Sequence, residues 1–333
     1  MSDEPYTFAT FVTMQNEVLP TMPHNDLTGK TIIVTGSNTG IGYEVAKAIA
    51  TMKPAKLILA ARNEEKTLKA LQNIQAETGF KSLEFMQLDL ASFDSVRAFA
   101  AKYKESGYSL DVLINNAGVN MPEWIVTKDG YETAVQTNHL STTFLTILLT
   151  PILAKSSNPR IVLVSSEVHY MLEPPIRAAI STTPTPIKTA NDPSFYPSDE
   201  HMPGMENYKI TKLFNVLTAQ ELSRRLPNIF SCSVNPGLTV SELRQTERGA
   251  EMKKLSFAGV ESRPTVEGAK AIVYCAVVEK PGSNGGFYTN VREEKPAVIT
   301  QGEKGKEFAG RLWRESVEIY KGLGVELEDW VLA

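Results

Sequence analysis

The feature that most constrains this chain is a glycine-rich turn between an apolar run and an amphipathic one. Thr31-Ile32-Ile33-Val34 reads as a buried strand and leads directly into Thr35-Gly36-Ser37-Asn38-Thr39-Gly40-Ile41-Gly42. A helix is expected from Ile41 to Met52. Glycines at such a turn let the backbone approach a pyrophosphate, while the open N–H groups and dipole of the helix start favour its charge. A glycine string alone is a weak sign, but after a strand and at the head of a βαβ unit it is strong. The spacing is one residue wider than G-x-G-x-x-G, and no Gly-Lys-Ser/Thr follows it, so it is not a P-loop.

The chain then alternates. Strands are expected at Leu57–Ala60, Leu83–Gln87, Val112–Ile114, Arg160–Ser165 and Phe230–Val234. Helices are expected at Glu64–Glu77, Ser92–Glu105, Gly130–Leu153 and Met205–Leu226. Short apolar runs separated by helices mean buried parallel strands joined by crossovers. The fold class is therefore α/β, a doubly wound parallel sheet (Rossmann fold) in a single domain, with ligand beyond the carboxyl ends of the strands. Residues 1–27 read as an N-terminal extension, 28–290 as the domain, and 291–333 as a C-terminal helical segment. Within the domain, 170–205 is a Pro-rich insertion without periodic apolar content, read as an irregular excursion.

Composition excludes other classes. The 333 residues are 42% hydrophobic and 22% charged, which is ordinary for a globular protein and rules out disorder. The net charge is −4 with no basic stripe, so no nucleic-acid partner is expected. Cys232 and Cys275 fit no zinc spacing and read as core residues in a reducing compartment; no metal site is expected. No apolar run reaches the roughly 18 residues of a membrane span, and the acidic start is unlike a signal peptide. A soluble, cytoplasmic protein is expected. Phe8, Phe11, Val12, Met14 and Val18 suggest a short helix packed on the body, with membrane or dimer contact as alternatives.

The second strand ends in Ala60-Ala61-Arg62-Asn63. An acidic residue there would take the free ribose hydroxyls, whereas Arg62 suits a 2′-phosphate, so NADP(H) is expected ahead of NAD(H). The bland alternative pairs Arg62 with Glu65 on the surface. Asp89 and Leu90, after the third strand, would hold the adenine edge, unless Asp89 merely caps the next helix. Tyr208 and Lys212 lie four apart on one helix face. A second copy, Tyr43 and Lys47, reads as a surface coincidence. Tyr208 differs in following a strand that ends Val164-Ser165-Ser166 on the ligand side of the sheet.

Taken in order, Thr35-Gly36-x-x-x-Gly40-Ile41-Gly42, Asn115-Asn116-Ala117-Gly118, Asn138, Ser165-Ser166, Tyr208-x-x-x-Lys212 and Asn235-Pro236-Gly237 resemble the short-chain dehydrogenase/reductases over about residues 28 to 290. Ser165-Ser166-x-x-His169, Thr211-Lys212-Leu213-x-Asn215 and Glu267-Gly268-Ala269 are similar to the retinol dehydrogenase and WW-domain oxidoreductase branch. The resemblance implies hydride transfer between a nicotinamide and a carbonyl or alcohol. Tyr208 would be the general acid or base, its ordinary value near 10 lowered by Lys212 and the nicotinamide charge. Lys212 would also bind the nicotinamide ribose, Ser166 would polarise the substrate oxygen, and Asn138 would anchor a relay water. Gly36, Ser37, Asn38, Gly40, Ile41, Gly42, Asn116, Ala117 and Gly118 would line the coenzyme, with Pro236, Gly237 and Thr239 at its nicotinamide.

The pattern departs from the family in one place. Ser166 and Tyr208 stand 42 positions apart, far wider than the family's usual spacing, and the Pro-rich insertion fills the gap. Met171, Leu172, Phe195, Tyr196, Met202 and Met205 could wall the substrate site, or the insertion could fold away from it. Trp124 is expected in the same wall, and the segment from Leu238 to Glu261 as a cover. These residues favour a medium-to-large apolar carbonyl or alcohol as substrate. The resemblance also suggests a homodimer through the long helix near Gly130–Leu153 and the catalytic helix; Phe144, Leu145, Ile147, Leu148 and Leu149 suit core or interface alike.

Overall fold

The structure is a computed structural model that describes residues 6–196, 203–240, 243, 256–257 and 259–332. Its central sheet has the order β10-β9-β6-β5-β4-β1-β2-β3. The strands are β1 Thr31–Thr35, β2 Lys56–Ala61, β3 Leu83–Gln87, β4 Val112–Asn115, β5 Arg160–Val164, β6 Phe230–Asn235, β9 Phe287–Thr289 and β10 Arg292–Glu294. A short hairpin, β7 Ser256–Phe257 and β8 Val260–Glu261, stands apart from it. All pairings in the central sheet are parallel except β9 with β10 at the edge. The strand order reverses between β1 and β4, and such a switch point opens a crevice at the carboxyl ends.

Both faces of the sheet are covered, for a reason visible in the strands. Side chains alternate sides along a strand. Ile33, Ile58, Leu113 and Ile161 therefore enter one apolar core, while Ile32, Val34, Leu57, Ile114 and Val162 enter the other. With both faces buried, the strands are continuous apolar runs rather than alternating ones. Helices α2 Gly40–Thr51 and α9 Thr265–Val277 pack together over the second core. Helices α4 Phe93–Glu105, α5 Ser141–Leu153, α8 Pro203–Arg225 and α10 Gly302–Gly322 build the first. Helix α3 Glu64–Thr78 covers β2 and β3, capped by Asn63 and stopped by Gly79 in the left-handed region.

Each of the six expected strands lies within one residue of its expected bounds. Other expectations are revised. The stretch from Gly130 to Leu153 is not one helix: it opens with a bridge between Val126 and Glu132, then a π-helical turn, Val135–Leu140, before α5. The Pro-rich insertion is not irregular. It holds α6 Pro174–Thr182 and α7 Pro186–Ala190, and prolines occupy the first turn of each, where a missing N–H costs nothing. Ile176, Ile180, Ile187, Ala190 and Tyr196 enter the first core. The expected boundary at 290 falls inside the β9–β10 hairpin, so the sheet runs through it.

The terminal segments dock on the body. Helix α1, Phe8–Gln15, buries Phe11 and Gln15 and leaves Phe8 exposed, as is Val18 just beyond it. At the other end α11, Asp329–Leu332, buries Val331, whose carbonyl accepts from Trp313 Nε1 at 3.0 Å. Phe144, Leu145, Ile147 and Leu149 are buried within their own chain. No described helix is long and apolar enough to cross a membrane.

Candidate active site

The crevice forms where the ends of β1 and β4 are stitched together. Asn116 Nδ2 donates to Thr35 O at 2.9 Å and Gly36 O at 3.2 Å, and Ala117 N donates to Thr35 Oγ1 at 3.0 Å. This close approach explains two glycines. A Cβ on Gly42 would lie 2.2 Å from Gly36 O, and one on Gly36, itself at φ +65°, would lie 2.9 Å from Ala117 Cα. Thr39 precedes α2 without making a side-chain cap, so the first N–H groups of that helix have no side-chain partner there. Thr39, Gly40, Ile41 and Gly42 all line a cleft of about 860 Å³. That size and a helix N-terminus at its wall suit a dinucleotide.

At one end of the cleft stand Ser166, Tyr208 and Lys212. Lys212 Nζ lies 5.5 Å from the Tyr208 ring centre and donates to Val164 O at 2.9 Å. Lys212 and Tyr208 are 3% and 7% exposed, and burial pushes the lysine down to about 8. The strand and the catalytic helix are tied further by Ser165 Oγ to Lys212 O at 2.6 Å and Asn215 Nδ2 to Val164 O at 3.1 Å. Ser166 lies two residues past the strand and accepts weakly from Val168 N at 3.4 Å, capping a 3-10 turn, Glu167–Tyr170.

Asn138 sits in the π-helical turn and does not itself line the cleft. Its Oδ1 accepts from Val119 N at 2.8 Å, while Nδ2 donates to Val119 O at 2.9 Å and Thr211 Oγ1 at 3.1 Å. Both amide protons are thus committed to protein. Gly118 lies between this amide and the lysine: its Cβ would fall 3.1 Å from Asn138 Oδ1 and 3.4 Å from Lys212 Nζ. Pro236, Gly237 and Thr239 line the cleft above this end, with Gly237 at φ +78° and its N–H on Asn235 Oδ1 at 3.0 Å.

The other end carries Arg62 and Asp89 with Leu90. Among the described residues Arg62 makes no ion pair with Glu65. Asp89 Oδ1 accepts from Ala91 N at 3.0 Å, and the helix cap is Ser92 instead. Asn38 and Lys66 lie there too, and Lys66 was missed because one more lysine on an exposed helix face carries no periodic signal. Ser37 is fully buried and does not line the cleft, unlike the expectation, and its Oγ has no partner among the described residues.

The part of the insertion from 170 to 196 lies away from the cleft. None of residues 170–196 lines the cleft, and they are pinned to α10 instead. Glu315 accepts from Ile187 N at 2.7 Å and Lys188 N at 2.8 Å, and Arg311 donates to Thr183 O at 3.0 Å. Of the expected wall, Leu172 and Tyr196 are core, Trp124 packs 5.8 Å from the Tyr196 ring, and Met202 lies outside the described residues. Most of the stretch from Leu238 to Glu261 lies outside them as well. Val119, Met121, Ile125, Val126, Leu238 and Leu243 supply the apolar lining.

Two neighbours of Ser166 bear on this end: His169, which stands in the Ser165-Ser166-x-x-His169 pattern, and Glu167, which spacing does not single out. His169 is buried; its Nδ1 meets Ser166 O at 2.6 Å, and its Nε2 accepts from Ala297 N at 3.2 Å. The proton therefore sits on Nδ1, the ring is neutral, and burial pushes it down to about 4. Glu167 lines the cleft, accepts from Asn235 Nδ2 at 2.8 Å, and is pushed up by burial against that bond.

The short chain dehydrogenase family profile matches residues 30–176. The chain is 36% identical over 271 residues to the WW domain-containing oxidoreductase of Gallus gallus, which covers 80% of this chain and 62% of that protein. The chain thus spans less than two thirds of that relative. It is 34% identical to retinol dehydrogenase 11 of Mus musculus over 307 residues, 91% of this chain and 89% of that one. Salutaridine reductase from Papaver somniferum shares the fold, with a TM-score of 0.61 at 22% identity over 78% of this chain and 99% of that one. The stitched glycine turn and the identity carried along nearly all of a full-length relative place the chain in the short-chain dehydrogenase/reductase family, as an oxidoreductase.

Proposed function

We propose that the chain is an NADP-dependent reductase of medium-to-large apolar ketones or aldehydes. The observation that carries the reading is a single cleft with Arg62 and Lys66 at one end and Ser166, Tyr208 and Lys212 at the other. Two cations at the adenosine end suit a 2′-phosphate, and the arginine fork suits it in geometry as well as charge. The coenzyme would lie with its pyrophosphate on the start of α2 and its nicotinamide beneath Pro236, Gly237 and Thr239, and it supplies the hydride.

The remaining chemistry belongs to the chain. Ser166 Oγ donates to the substrate oxygen and withdraws charge from the carbonyl carbon. Tyr208 donates its hydroxyl proton to that oxygen as negative charge develops. Lys212, held by Val164 O, has donors left for the nicotinamide ribose, and in its protonated form favours ionised Tyr208. Asn138 is a positioning residue here: both its amide protons are held, by Val119 O and Thr211 Oγ1, so a relay water would have to donate to its amide oxygen or its backbone carbonyl. The apolar lining from Val119 to Val126 supports an apolar substrate, as does the retinol in the name of the mouse relative.

The test is coenzyme oxidation against a panel of apolar ketones and aldehydes, with NADPH and NADH in parallel. Turnover that prefers NADPH and collapses in Tyr208→Phe is the expected result. Equal or better turnover with NADH overturns the cofactor assignment, and turnover that survives Tyr208→Phe overturns the mechanism.

A further inference from the structure

Helix α1 lies outside the doubly wound unit, yet its last turn is built into the wall of the cleft. Gln15 is 5% exposed. Its Nε2 donates to Leu238 O at 2.8 Å and Glu261 O at 3.2 Å, while its Oε1 accepts from Leu238 N at 3.0 Å. One side chain thus reads both backbone groups of Leu238, much as a neighbouring strand would. Buried polar groups matched on both sides in this way are costly to break.

Arg263 fastens the same joint from behind. It is 8% exposed, and its guanidinium holds carbonyls at the end of α1: Nε donates to Gln15 O at 2.9 Å and Nη2 to Met14 O. A cation there satisfies carbonyls the helix leaves open and complements its dipole. Its backbone pairs with the cleft wall, Arg263 N to Leu238 O at 2.8 Å and Val240 N to Arg263 O at 3.0 Å. Its Nη1 donates to Asn290 Oδ1 at 2.9 Å. Asn290 and Val291 form a turn with φ of +49° and +65°. That conformation is strained for a β-branched residue, and such strain persists only where neighbours enforce it. The neighbours are visible: Asn290 Nδ2 donates to Met14 O and to Glu17 Oε2, both at 2.8 Å.

We propose that residues 6–17 are a built-in positioning element for the nicotinamide end of the cleft, with Gln15 and Arg263 as its positioning residues. The wall from Pro236 to Val240 is held on the sheet side by Asn235, whose Oδ1 takes Gly237 N, and on the outer side by Gln15 together with the Arg263 backbone. Releasing Gln15 frees Leu238 N–H and one of the bonds on Leu238 O. Gly237 and Thr239, flanking Leu238, then lose their fixed place over the nicotinamide. The adenosine end, stitched by Asn116 to the glycine turn, is untouched. The inference rests on the coenzyme orientation given above.

The experiment compares wild type with Gln15→Met, which keeps length and volume but neither donates nor accepts as an amide. Amide hydrogen exchange is read at Leu238 and, as control, at Gly36, whose N–H is held by Ala60 O at 2.7 Å. Affinities are measured for NADPH, for NADH and for 2′,5′-ADP, which lacks the nicotinamide. In Gln15→Met, Leu238 exchange should rise about tenfold or more with Gly36 unchanged. NADPH affinity and kcat should each fall by roughly tenfold, while 2′,5′-ADP binds as in wild type. Arg263→Lys, which keeps the charge but loses the fork, should give the same pattern more weakly. Unchanged Leu238 exchange, or unchanged NADPH affinity and kcat, overturns the inference. Parallel losses for NADPH and 2′,5′-ADP also overturn it, because they report general destabilisation. A wild-type chain that binds neither dinucleotide overturns the coenzyme reading itself.

Discussion

The chain contains Tyr-x-x-x-Lys twice, and the local geometry of the two copies is nearly the same. The lysine amine lies 5.4 Å from the tyrosine ring in Tyr43–Lys47 and 5.5 Å in Tyr208–Lys212. Everything else differs. Tyr43 spends its hydroxyl on Glu77 at 3.0 Å, and Lys47 bridges Glu44 and Glu77. Burial alone would push the Lys47 amine down, but the two carboxylates together outweigh it and hold the amine above its ordinary value. Lys212 is buried against a carbonyl and driven the other way. Helical spacing brings the two groups together in both places; only exclusion of water and the choice of neighbour make one pair chemically poised.

The sharpest break of the comparison is Tyr208→Phe. Losing a positioned acid should lower kcat by about 10²–10⁴-fold in coenzyme-oxidation assays. A fall of only a few-fold would return Tyr208 to the status of Tyr43. Next in size is Arg62→Ala, expected to raise the KM for NADPH by roughly 10–100-fold, the worth of a charged hydrogen bond, with NADH kinetics unchanged. Equal effects on both coenzymes would deny Arg62 a contact with the 2′-phosphate.

A third prediction concerns pH and separates the two lysines by sign. Unfolded, Lys212 titrates near 10.5; folded, near 8. Between these values the unfolded chain binds more protons, so the cost of burying the cation is full below pH 8 and disappears towards 10.5. In the coenzyme-free protein, denaturant unfolding at pH 7.5 and 9.5 should show stability rising through Lys212, and Lys212→Met should flatten that rise. Lys47→Met should leave it intact, because a raised lysine contributes in the opposite sense and only above its ordinary value. Smallest of all is Tyr43→Phe, expected to change kcat by less than about twofold, as surface substitutions away from a site do.

Much of the cleft was legible because its demands are local. A glycine beside another backbone, an arginine after the second strand and a tyrosine–lysine pair after a strand end all follow from short-range sterics and charge. The insertion was misread for an equally local reason. Seven prolines between Pro174 and Pro203 look like a broken chain, yet Pro174 and Pro186 start helices. Its apolar residues are too sparse to show a period, but Ile176, Ile180 and Ile187 suffice once α10 is present to receive them. Ser37 was placed on the coenzyme by its position in the motif, whereas the tight turn points it inward.

What the sequence alone determined is the alternation of buried strands and crossover helices, and hence the sheet, its switch point and the side on which ligand must lie. These depend on hydrophobic period and chain chirality, which every short segment carries. What only the tertiary structure decided is which equivalent groups differ in chemistry: Lys212 from Lys47, a neutral His169 behind Ser166, and Gln15 and Arg263 joined 248 positions apart. Those outcomes depend on burial and on partners brought together by folding, and no window along the chain contains both members of such a pair.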